Sequence, residues 1–243
     1  SRKGRRRIML NPALDRAALA ERYKQKNRIQ IRDVLSADAA NDLFVILTRG
    51  TEWSLVWREA DGHVEAKPLA EMSAMAPEQR ARIINGIYSR ARGEFSFIYQ
   101  ANLMAENYAA KRNPEHPLHR VFESLNGPEF IGFIRKITGI QTIAKADAQA
   151  TLYGPGHFLN THDDKIAGHK RRVAYVLNMT QDWNPDWGGL LQFYDNDGGV
   201  EQVFAPRFNT LSLFTVPQSH AVSYVPPFAP ARRLAITGWF VDP

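Results

Sequence analysis

One histidine and one aspartate in this chain are separated by a single residue, in the segment NTHDDK that contains His162 and Asp164. In an extended segment, residues i and i+2 point to the same side, so this imidazole and this carboxylate would converge on one point. Asp163 could replace Asp164 in that role only if the strand were bulged. A histidine and an aspartate at this spacing are weak evidence alone, and a third ligand is needed to predict a metal site.

His220 supplies that third ligand, because it begins a later strand-like segment soon after a proline. A jelly roll can bring two such strands together in its interior. Two imidazoles and one carboxylate leave coordination positions open, which is the site type expected for non-heme iron(II) oxygenases. The same three groups can also hold zinc, so the ligand set by itself leaves both metals open.

Arg233 follows at the start of the last strand-like segment. A guanidinium binds a carboxylate bidentately, so an inward-pointing arginine near a metal would anchor a dicarboxylate. Alternation places Arg233, Ala235, Thr237 and Trp239 on one face of this segment. A surface arginine, equivalent to the neighbouring Arg232, is the alternative.

Composition restricts the class of site. The chain of 243 residues contains no cysteine, which excludes disulfides, thiolate metal sites and cysteine nucleophiles. It carries a net charge of +6, with basic runs at residues 2–7 and 170–172 that we interpret as solvated surface. No apolar run is long enough to span a bilayer and no secretory signal is visible, so we expect a cytoplasmic protein without membrane contact.

The elements that must position these groups differ between the two halves of the chain. From about residue 141, short strand-like segments alternate with turns rich in Gly, Pro, Asn and Asp, which is typical of an antiparallel jelly roll. These segments are 171–179, 189–195, 200–205, 210–216, 220–225 and 233–241.

The first 140 residues have mixed helical and strand patterns. We predict helices over 12–27, with Asn11 as cap, and over 36–47, after Pro77, and over 116–125 and 128–137. Strands are predicted over 28–35 and 95–101, with a hairpin around Asp61 and Gly62. The fold class is therefore α+β with a mainly β core, a double-stranded β-helix of the cupin kind with packed N-terminal helices. We expect one domain over 1–243, with a support region over 1–140 and a catalytic core over 141–243.

Four segments, in order and spacing, resemble those of the Fe(II)/2-oxoglutarate-dependent dioxygenase superfamily. YGPGHFLNTHDD (153–164) is similar to the Tyr-x-x-Gly-x-x-Leu-x-x-His-x-Asp motif of that family, and residues 171–194 resemble the strand pair that follows it. SHAVSYV (219–225) and RLAITGWF (233–240) resemble its distal-histidine and arginine strands. The resemblance covers about residues 142–241 and is strongest to the prolyl hydroxylase branch.

The resemblance implies roles for particular positions. His162, Asp164 and His220 would be the catalytic iron ligands, and Arg233 would pair with the far carboxylate of 2-oxoglutarate. The other positions implied at the cosubstrate or the substrate entrance are Tyr153, Asn178, Thr237 and Trp239. Asn178 departs from the hypoxia-factor type, which has tyrosine there, so it either takes over that contact or only faces the pocket. Tyr153 and Trp239 could equally be packing residues of the barrel.

The resemblance also implies a reaction. A hydroxylase of this family consumes O2 and converts 2-oxoglutarate to succinate and CO2, and ascorbate is an expected accessory reductant. The implied substrate is a prolyl residue in a protein or peptide. We expect no nucleic-acid partner, although the basic loop over 165–172 could meet an acidic target.

Three alternatives to this interpretation are considered. The first is a hydroxylase of a free amino acid or another small metabolite. The second is a zinc-dependent cupin-like hydrolase or isomerase, which would leave Arg233 and the Tyr153 segment unexplained. The third is a binding module without catalysis, against which the intact ligand set and Arg233 argue. The remaining histidines, His63, His116, His119 and His169, are expected to be surface or hydrogen-bonded residues.

Overall fold

A computed structural model of the protein describes residues 8–243, so the basic run at 2–7 lies outside the described residues. The helices are α1 (Arg16–Lys24), α2 (Ala37–Arg49), α3 (Leu69–Ala74), α4 (Pro77–Arg90), α5 (Met104–Ala109), α6 (Pro117–Leu125) and α7 (Pro128–Thr138). The strands are β1 (Arg28–Arg32), β2 (Ser54–Arg58), β3 (Val64–Pro68), β4 (Phe97–Asn102), β5 (Lys145–Ala146), β6 (Gln149–Tyr153), β7 (Phe158–His162), β8 (Arg171–Asn178), β9 (Leu191–Tyr194), β10 (Val200–Phe204), β11 (Thr210–Thr215), β12 (His220–Val222) and β13 (Arg233–Val241).

The strands form a continuous antiparallel sheet that curls into a nearly closed barrel. One wall has the order β1-β11-β8-β13-β6, and the other has the order β7-β12-β9-β10. Strand β4 joins the walls because it pairs with both β6 and β7. This arrangement is the predicted double-stranded β-helix.

Alternation along β8 shows how the sequence separates the two faces of the first wall. Val173, Tyr175 and Leu177 belong to the large apolar cluster shared with the helices. Ala174 and Val176 point the other way and line the barrel interior. Because successive side chains of a strand alternate, one sequence packs a helical layer and also builds the wall of a cavity.

The helices cover the outer face of that wall. In α7, Phe130, Phe133, Ile134 and Ile137 recur at helical spacing and are buried in the cluster, and the helix ends at Gly139 with φ 74°. A left-handed residue at that position terminates a helix, and glycine adopts it without steric cost. Helix α1 packs against α7.

Several predicted elements differ in extent from the observed ones. The first helix begins at Arg16 and not at Pro12, because the carboxylate of Asp15 accepts from the backbone N–H groups of Ala17 and Ala18 and so caps it. Helices α3 and α5 were not predicted, since each has only six residues. The segment after His220 is a strand for only three residues.

The N-terminal half contributes strands to the same sheet as the C-terminal half. Strand β1 extends the first wall by pairing with β11, with Arg28 opposite Phe214. The predicted hairpin is confirmed as β2 and β3, and β2 pairs with β4. Within residues 8–243, no helix has the length and apolar character that crossing a bilayer requires.

Candidate active site

A bulge in β7 turns the side chain of His162, the metal-ligand candidate on this strand, into the barrel. His162 pairs with His220, whereas Leu159 pairs with Val222, so β7 carries one more residue than β12 between the two pairs. Leu159 and His162 consequently both face the interior, although they are three positions apart. An extra residue of this kind redirects a side chain that regular alternation would place elsewhere.

The predicted extended conformation through Asp164 is wrong, because β7 ends at His162 and Asp164 has φ 63°. A left-handed aspartate is uncommon, although Asp and Asn tolerate it better than most residues. The left-handed turn, and not strand alternation, returns the carboxylate towards His162.

The side chains of His162, Asp164 and His220 nevertheless lie together. One ligand atom from each residue lies within 4.8 Å of the others. Asp164 Oδ1 is 3.2 Å from His162 Nε2, and Asp164 Oδ2 is 3.4 Å from His220 Nε2. Nitrogen and oxygen ligands about 2.1 Å from one metal ion are about 3 Å apart when they occupy adjacent positions. The three residues therefore fit a metal ion on one face.

Electrostatics at this cluster favour the metal-binding protonation states of His220 and Asp164. Burial, together with the neighbouring His162, lowers the pKa of His220 to about 4, so this imidazole is neutral at pH 7. Burial by itself would raise the pKa of Asp164. The nearby imidazoles of His162 and His220 outweigh it, so the pKa of this carboxylate is lowered. A metal ion would meet a neutral His220 imidazole and an ionised Asp164 carboxylate.

Both imidazoles are oriented by a backbone carbonyl on the side away from the cluster. The Nδ1 atoms of His162 and His220 lie 2.8 Å from Asn160 O and 2.7 Å from Gln218 O. A carbonyl only accepts, so each Nδ1 donates and each Nε2 keeps a free lone pair for a metal.

Aromatic rings shield the cluster from water. The ring of Phe214 lies 4.6 Å from that of His220, edge-on, and the ring of Phe95 lies 5.2 Å from that of His162. Phe193 also packs against His220. Exclusion of water around the imidazoles strengthens the electrostatic interactions among the ligands.

The same cavity also contains a buried arginine, Arg233. Its side chain is 1% exposed, and its Nε has no hydrogen-bond partner among the described residues. No carboxylate of residues 8–243 forms an ion pair with it in the structure. Burial lowers the pKa of its guanidinium. An unpaired buried cation is costly to the fold, and an anionic ligand in the cavity would relieve that cost.

Two neighbours fix where this guanidinium lies. The ring of Tyr153, which is buried and stacked on Tyr99, has its centroid 4.9 Å from Arg233 Cζ. Gly189, with φ 62°, makes room for the arginine stem, because a Cβ there would lie 3.1 Å from Arg233 Cδ. Burial raises the pKa of Tyr153 well above its usual value, so its hydroxyl remains a donor.

Of the remaining predicted positions, Thr237 and Trp239 lie on the face that alternation indicated, whereas Asn178 does not line the cavity. Thr237 and Trp239 line the cavity on the same face of β13 as Arg233. Asn178 is buried opposite Ala235, but the cavity lining on β8 ends at Val176. Asn178 Oδ1 and Trp239 Nε1 are buried without a hydrogen-bond partner among the described residues.

The cavity has a volume of about 760 Å³. Pockets for small ligands typically have volumes of about 300 to 1,000 Å³, so one dicarboxylate would occupy only part of this one.

One wall of the cavity is an aromatic stripe that sequence reasoning missed. It is formed by Phe95, Phe97 and Tyr99, with successive ring centroids 5.7 and 5.5 Å apart. Their alternating spacing could have indicated a common face, but not which cavity that face lines.

Arg171 was also missed as a residue of the cavity, because its basic run was interpreted as solvated. Its Cζ lies 3.5 Å from the ring centroid of Trp239, and its Nη1 donates to Asp164 O at 3.4 Å. Arg172 in the same run pairs with Asp242 at 3.2 Å. A guanidinium stacked on an indole is held in place by cation–π attraction, so Arg171 forms part of the wall.

The mouth of the cavity carries exposed apolar side chains. Val64, Phe95 and Ile166 all line the cavity and are 57%, 37% and 45% exposed. Apolar groups clustered around an opening in this way indicate a surface that contacts a ligand or partner.

The other histidines lie away from this cavity. His63 contacts Asp61, and the rings of His116 and His119 contact the carbonyls of Gly50 and Arg112. His169 is exposed. These four have the surface or hydrogen-bonded settings that were predicted.

Comparison with known proteins supports the same interpretation. Residues 148–241 match the sequence model of the 2OG-Fe(II) oxygenase superfamily. The chain is 32% identical over 139 residues to prolyl 3-hydroxylase OGFOD1 of Mus musculus, a match that covers 54% of this chain and 25% of that protein. The match therefore spans only about a quarter of the length of this curated relative.

Two solved structures have the same fold. A Pseudomonas putida prolyl-4-hydroxylase superposes with a TM-score of 0.56 at 19% identity, covering 97% of this chain and 95% of that one. A Trichoplax adhaerens prolyl hydroxylase in complex with a hypoxia inducible factor peptide fragment superposes with a TM-score of 0.58 at 16% identity, covering 92% and 87%. At these identities the likeness is one of fold.

Proposed function

We propose that the chain is a 2-oxoglutarate-dependent oxygenase of the 2OG-Fe(II) superfamily that hydroxylates a prolyl residue of a protein or peptide, a proposal that the match of residues 148–241 supports. Fe(II) and 2-oxoglutarate would be its cofactor and cosubstrate, and O2 the oxidant. Ascorbate would serve as an accessory reductant that keeps the metal in its ferrous state.

One observation carries this proposal. A buried guanidinium without a carboxylate partner lies in the same cavity as a cluster of two imidazoles and one carboxylate. A metal site of the hydrolase kind accounts for the cluster but leaves Arg233 as an unpaired buried charge. A dicarboxylate that reaches from the metal to Arg233 satisfies both features at once.

The residues of the cavity would have separate roles in binding the metal and the cosubstrate. His162, Asp164 and His220 would hold iron, and Arg233 would hold the far carboxylate of 2-oxoglutarate by bidentate hydrogen bonds. What the bound iron and 2-oxoglutarate supply is oxidative decarboxylation to succinate and CO2, coupled to the transfer of one oxygen atom to the substrate. Tyr153 would donate its hydroxyl hydrogen within the cosubstrate pocket, beside Arg233.

Other side chains would shape the pocket around the cosubstrate. Thr237 lies between Arg233 and Trp239 along the same strand face, where its hydroxyl can contact the cosubstrate. Asn178, buried opposite Ala235 and outside the observed cavity lining, would be a further polar contact of the bound cosubstrate. Trp239, held by Arg171, would border the substrate entrance.

The shape of the cavity favours a macromolecular substrate. Its volume exceeds what 2-oxoglutarate needs, and its mouth presents exposed apolar side chains that could contact a polypeptide on either side of the target residue. The aromatic stripe of Phe95, Phe97 and Tyr99 offers ring faces against which a pyrrolidine ring can pack. The relatives named above as prolyl hydroxylases support the same class of substrate.

We propose further that residues 1–243 act as one unit, with the catalytic core over 141–243 and a supporting region over 1–140. The pairing of β1 with β11 and of β4 with both β6 and β7 supports this organisation, because N-terminal strands complete the wall of the cavity.

The first test is turnover of 2-oxoglutarate. Purified protein with Fe(II), ascorbate and O2 should release succinate, and His162→Ala should abolish that release because two ligands hold iron far less tightly than three. His119→Ala is the matched control, since His119 is only half-buried and lies outside the cavity. Turnover with zinc and none with iron would instead favour a hydrolase or isomerase.

The second test identifies the substrate class. A panel of prolyl peptides and free amino acids should be incubated with the active protein, and each product examined by mass spectrometry for one added oxygen atom. We expect hydroxylation of a prolyl peptide and none of free proline. Hydroxylation of a free amino acid alone would replace the peptide substrate with a small metabolite while leaving the reaction type intact.

A further inference from the structure

The two imidazoles of the ligand cluster are oriented by the same kind of hydrogen bond to a backbone carbonyl. Each Nδ1 donates to the carbonyl of the residue two positions earlier, Asn160 for His162 and Gln218 for His220. The direction of each Nε2 lone pair therefore depends on where these two carbonyls are fixed.

Both carbonyls belong to residues whose side-chain amides reach into the N-terminal half. Asn160 Nδ2 donates to Ala91 O at 3.3 Å, at the end of α4. Gln218 Nε2 donates to Asn27 O at 2.9 Å, immediately before β1. Each metal-ligand candidate is thus two residues from an amide tied to a backbone carbonyl of the supporting region.

Each amide residue has a second tie to the same region. The backbone N–H of Asn160 donates to Ser96 O at 3.0 Å, so the extra residue of the β7 bulge bonds to the segment before β4 and not to β12. Arg28 Nη1 donates to Gln218 Oε1 at 3.0 Å, so both ends of the Gln218 amide are fixed by consecutive residues of the N-terminal half.

The sheet itself leaves these two positions weakly fixed. Strand β12 is three residues long and begins at His220, so Gln218 precedes it. Strand β7 ends at His162 and is bulged just before it. Neither Asn160 nor Gln218 has a partner residue in the strand register, so the amide ties add a restraint that regular pairing does not supply.

We propose that Asn160 and Gln218 are positioning residues of the metal centre. Through them the N-terminal half fixes the two carbonyls, and the carbonyls fix the tautomer and orientation of His162 and His220. The inference rests on the proposed function only in assuming that this cluster binds a metal ion.

Cobalt(II) binding tests this inference without any measurement of hydroxylation. Metal-free wild type, Asn160→Leu, Gln218→Met and the double variant should be titrated with Co(II), with the visible absorption of the bound ion recorded. Affinity is measured by competition with a chelator. Loss of an outer partner of a metal-bound histidine costs roughly tenfold to 100-fold in affinity, so we expect about tenfold for the double variant and less for each single one.

The visible spectrum separates positioning from general stability. If the imidazoles lose their fixed orientation, the cobalt bands of the double variant should shift and change in intensity. Asn209→Ala is the matched control, because Asn209 Nδ2 donates to Leu35 O at 2.8 Å and so also ties the two halves together, but at a place away from the cluster. This variant should lose stability and keep the wild-type cobalt affinity and spectrum.

Two results would overturn the inference, and they differ in whether they also refute the metal centre. A folded double variant with the affinity and spectrum of the wild type would refute positioning by Asn160 and Gln218 and leave the metal centre intact. Failure of the wild type to bind cobalt would refute the metal centre and the proposed function together. If the double variant does not fold, Gln218→Met alone decides, since Gln218 is only half-buried.

Discussion

Two buried arginines in this barrel have opposite surroundings. Arg28 donates from Nε to Gln202 Oε1 at 2.7 Å and from Nη1 to Gln218 Oε1 at 3.0 Å, and its Nη2 pairs with Glu201. Its Cζ also lies 4.7 Å from the ring centroid of Phe193. Every nitrogen of this guanidinium has a partner supplied by the chain.

Arg233 is buried more completely and has far fewer partners. The ring of Tyr153 faces it, and its Nε has no hydrogen-bond partner among the described residues. Burial of a cation costs several kcal/mol when nothing compensates it. A buried charge with a full set of partners therefore stabilises the fold, whereas a buried charge without partners marks where a ligand belongs.

The largest expected effect comes from removing the unpaired charge. Arg233→Met should raise the 2-oxoglutarate concentration for half-maximal succinate release by roughly tenfold to 100-fold, because a hydrogen bond to a charged group contributes about 1.5–3 kcal/mol. The free energy of unfolding of the ligand-free protein should stay equal or rise, since an uncompensated buried charge is lost. Steady-state kinetics and urea unfolding measure the two quantities.

The neighbouring arginine provides the matched control for that variant. Arg232 is exposed and immediately precedes β13, so Arg232→Met should keep the wild-type 2-oxoglutarate requirement. An Arg233→Met protein with wild-type kinetics would end the assignment of this residue to the cosubstrate.

The second arginine should respond in the opposite way. Arg28→Met removes three polar contacts and should lower the free energy of unfolding by about 2 kcal/mol, because hydrogen bonds to a charged group are lost while the methionine recovers some apolar burial. Its effect on the 2-oxoglutarate requirement should be much smaller than that of Arg233→Met. Urea unfolding checks the first statement. A variant as stable as wild type would show that completeness of partners does not predict stabilisation here.

The chain sequence was enough to predict much of this contrast. The alternation of β13 placed Arg233 on the face of Thr237 and Trp239, and that face does line the cavity. The strand sequence in the C-terminal half also predicted the fold, because short alternating segments with polar turns have few other solutions.

Other features depended on long-range geometry that no local pattern encodes. His162 and Asp164 were expected to converge along an extended strand, but a bulge and a left-handed turn bring them together. Strand β4 was predicted, yet its place between β6 and β7 was not, so its aromatic stripe was not recognised as a wall of the cavity. The basic run containing Arg171 was interpreted as solvent-exposed because its indole partner is distant in sequence.

His157 shows a third way for the protein to handle a buried basic group, which is to keep it neutral. Its Nδ1 accepts from the backbone N–H of Gly154 at 2.9 Å, so no proton is bound at that nitrogen. Burial lowers its pKa from 6.5 to about 4. This imidazole therefore needs neither the ion pair of Arg28 nor the ligand of Arg233.

A pH dependence of stability follows from that lowered pKa, and it is the smallest of the expected effects. Between pH 6.5 and 4 the unfolded chain binds a proton at His157 that the folded protein does not, so stability falls as the pH falls through this interval. The loss is complete below the folded pKa. Because the side chain is partly exposed, we expect a change of about 1–2 kcal/mol, less than the full shift would give.

Urea unfolding of metal-free wild type and His157→Gln at pH 7, 5.5 and 4.5 isolates this contribution, since the other titrating groups are common to both proteins. The variant should lose less stability across the interval, because glutamine does not titrate. Equal slopes for wild type and His157→Gln would mean that the unfolded and folded proteins bind a proton at His157 alike, and neutrality would then not distinguish this group from the two arginines.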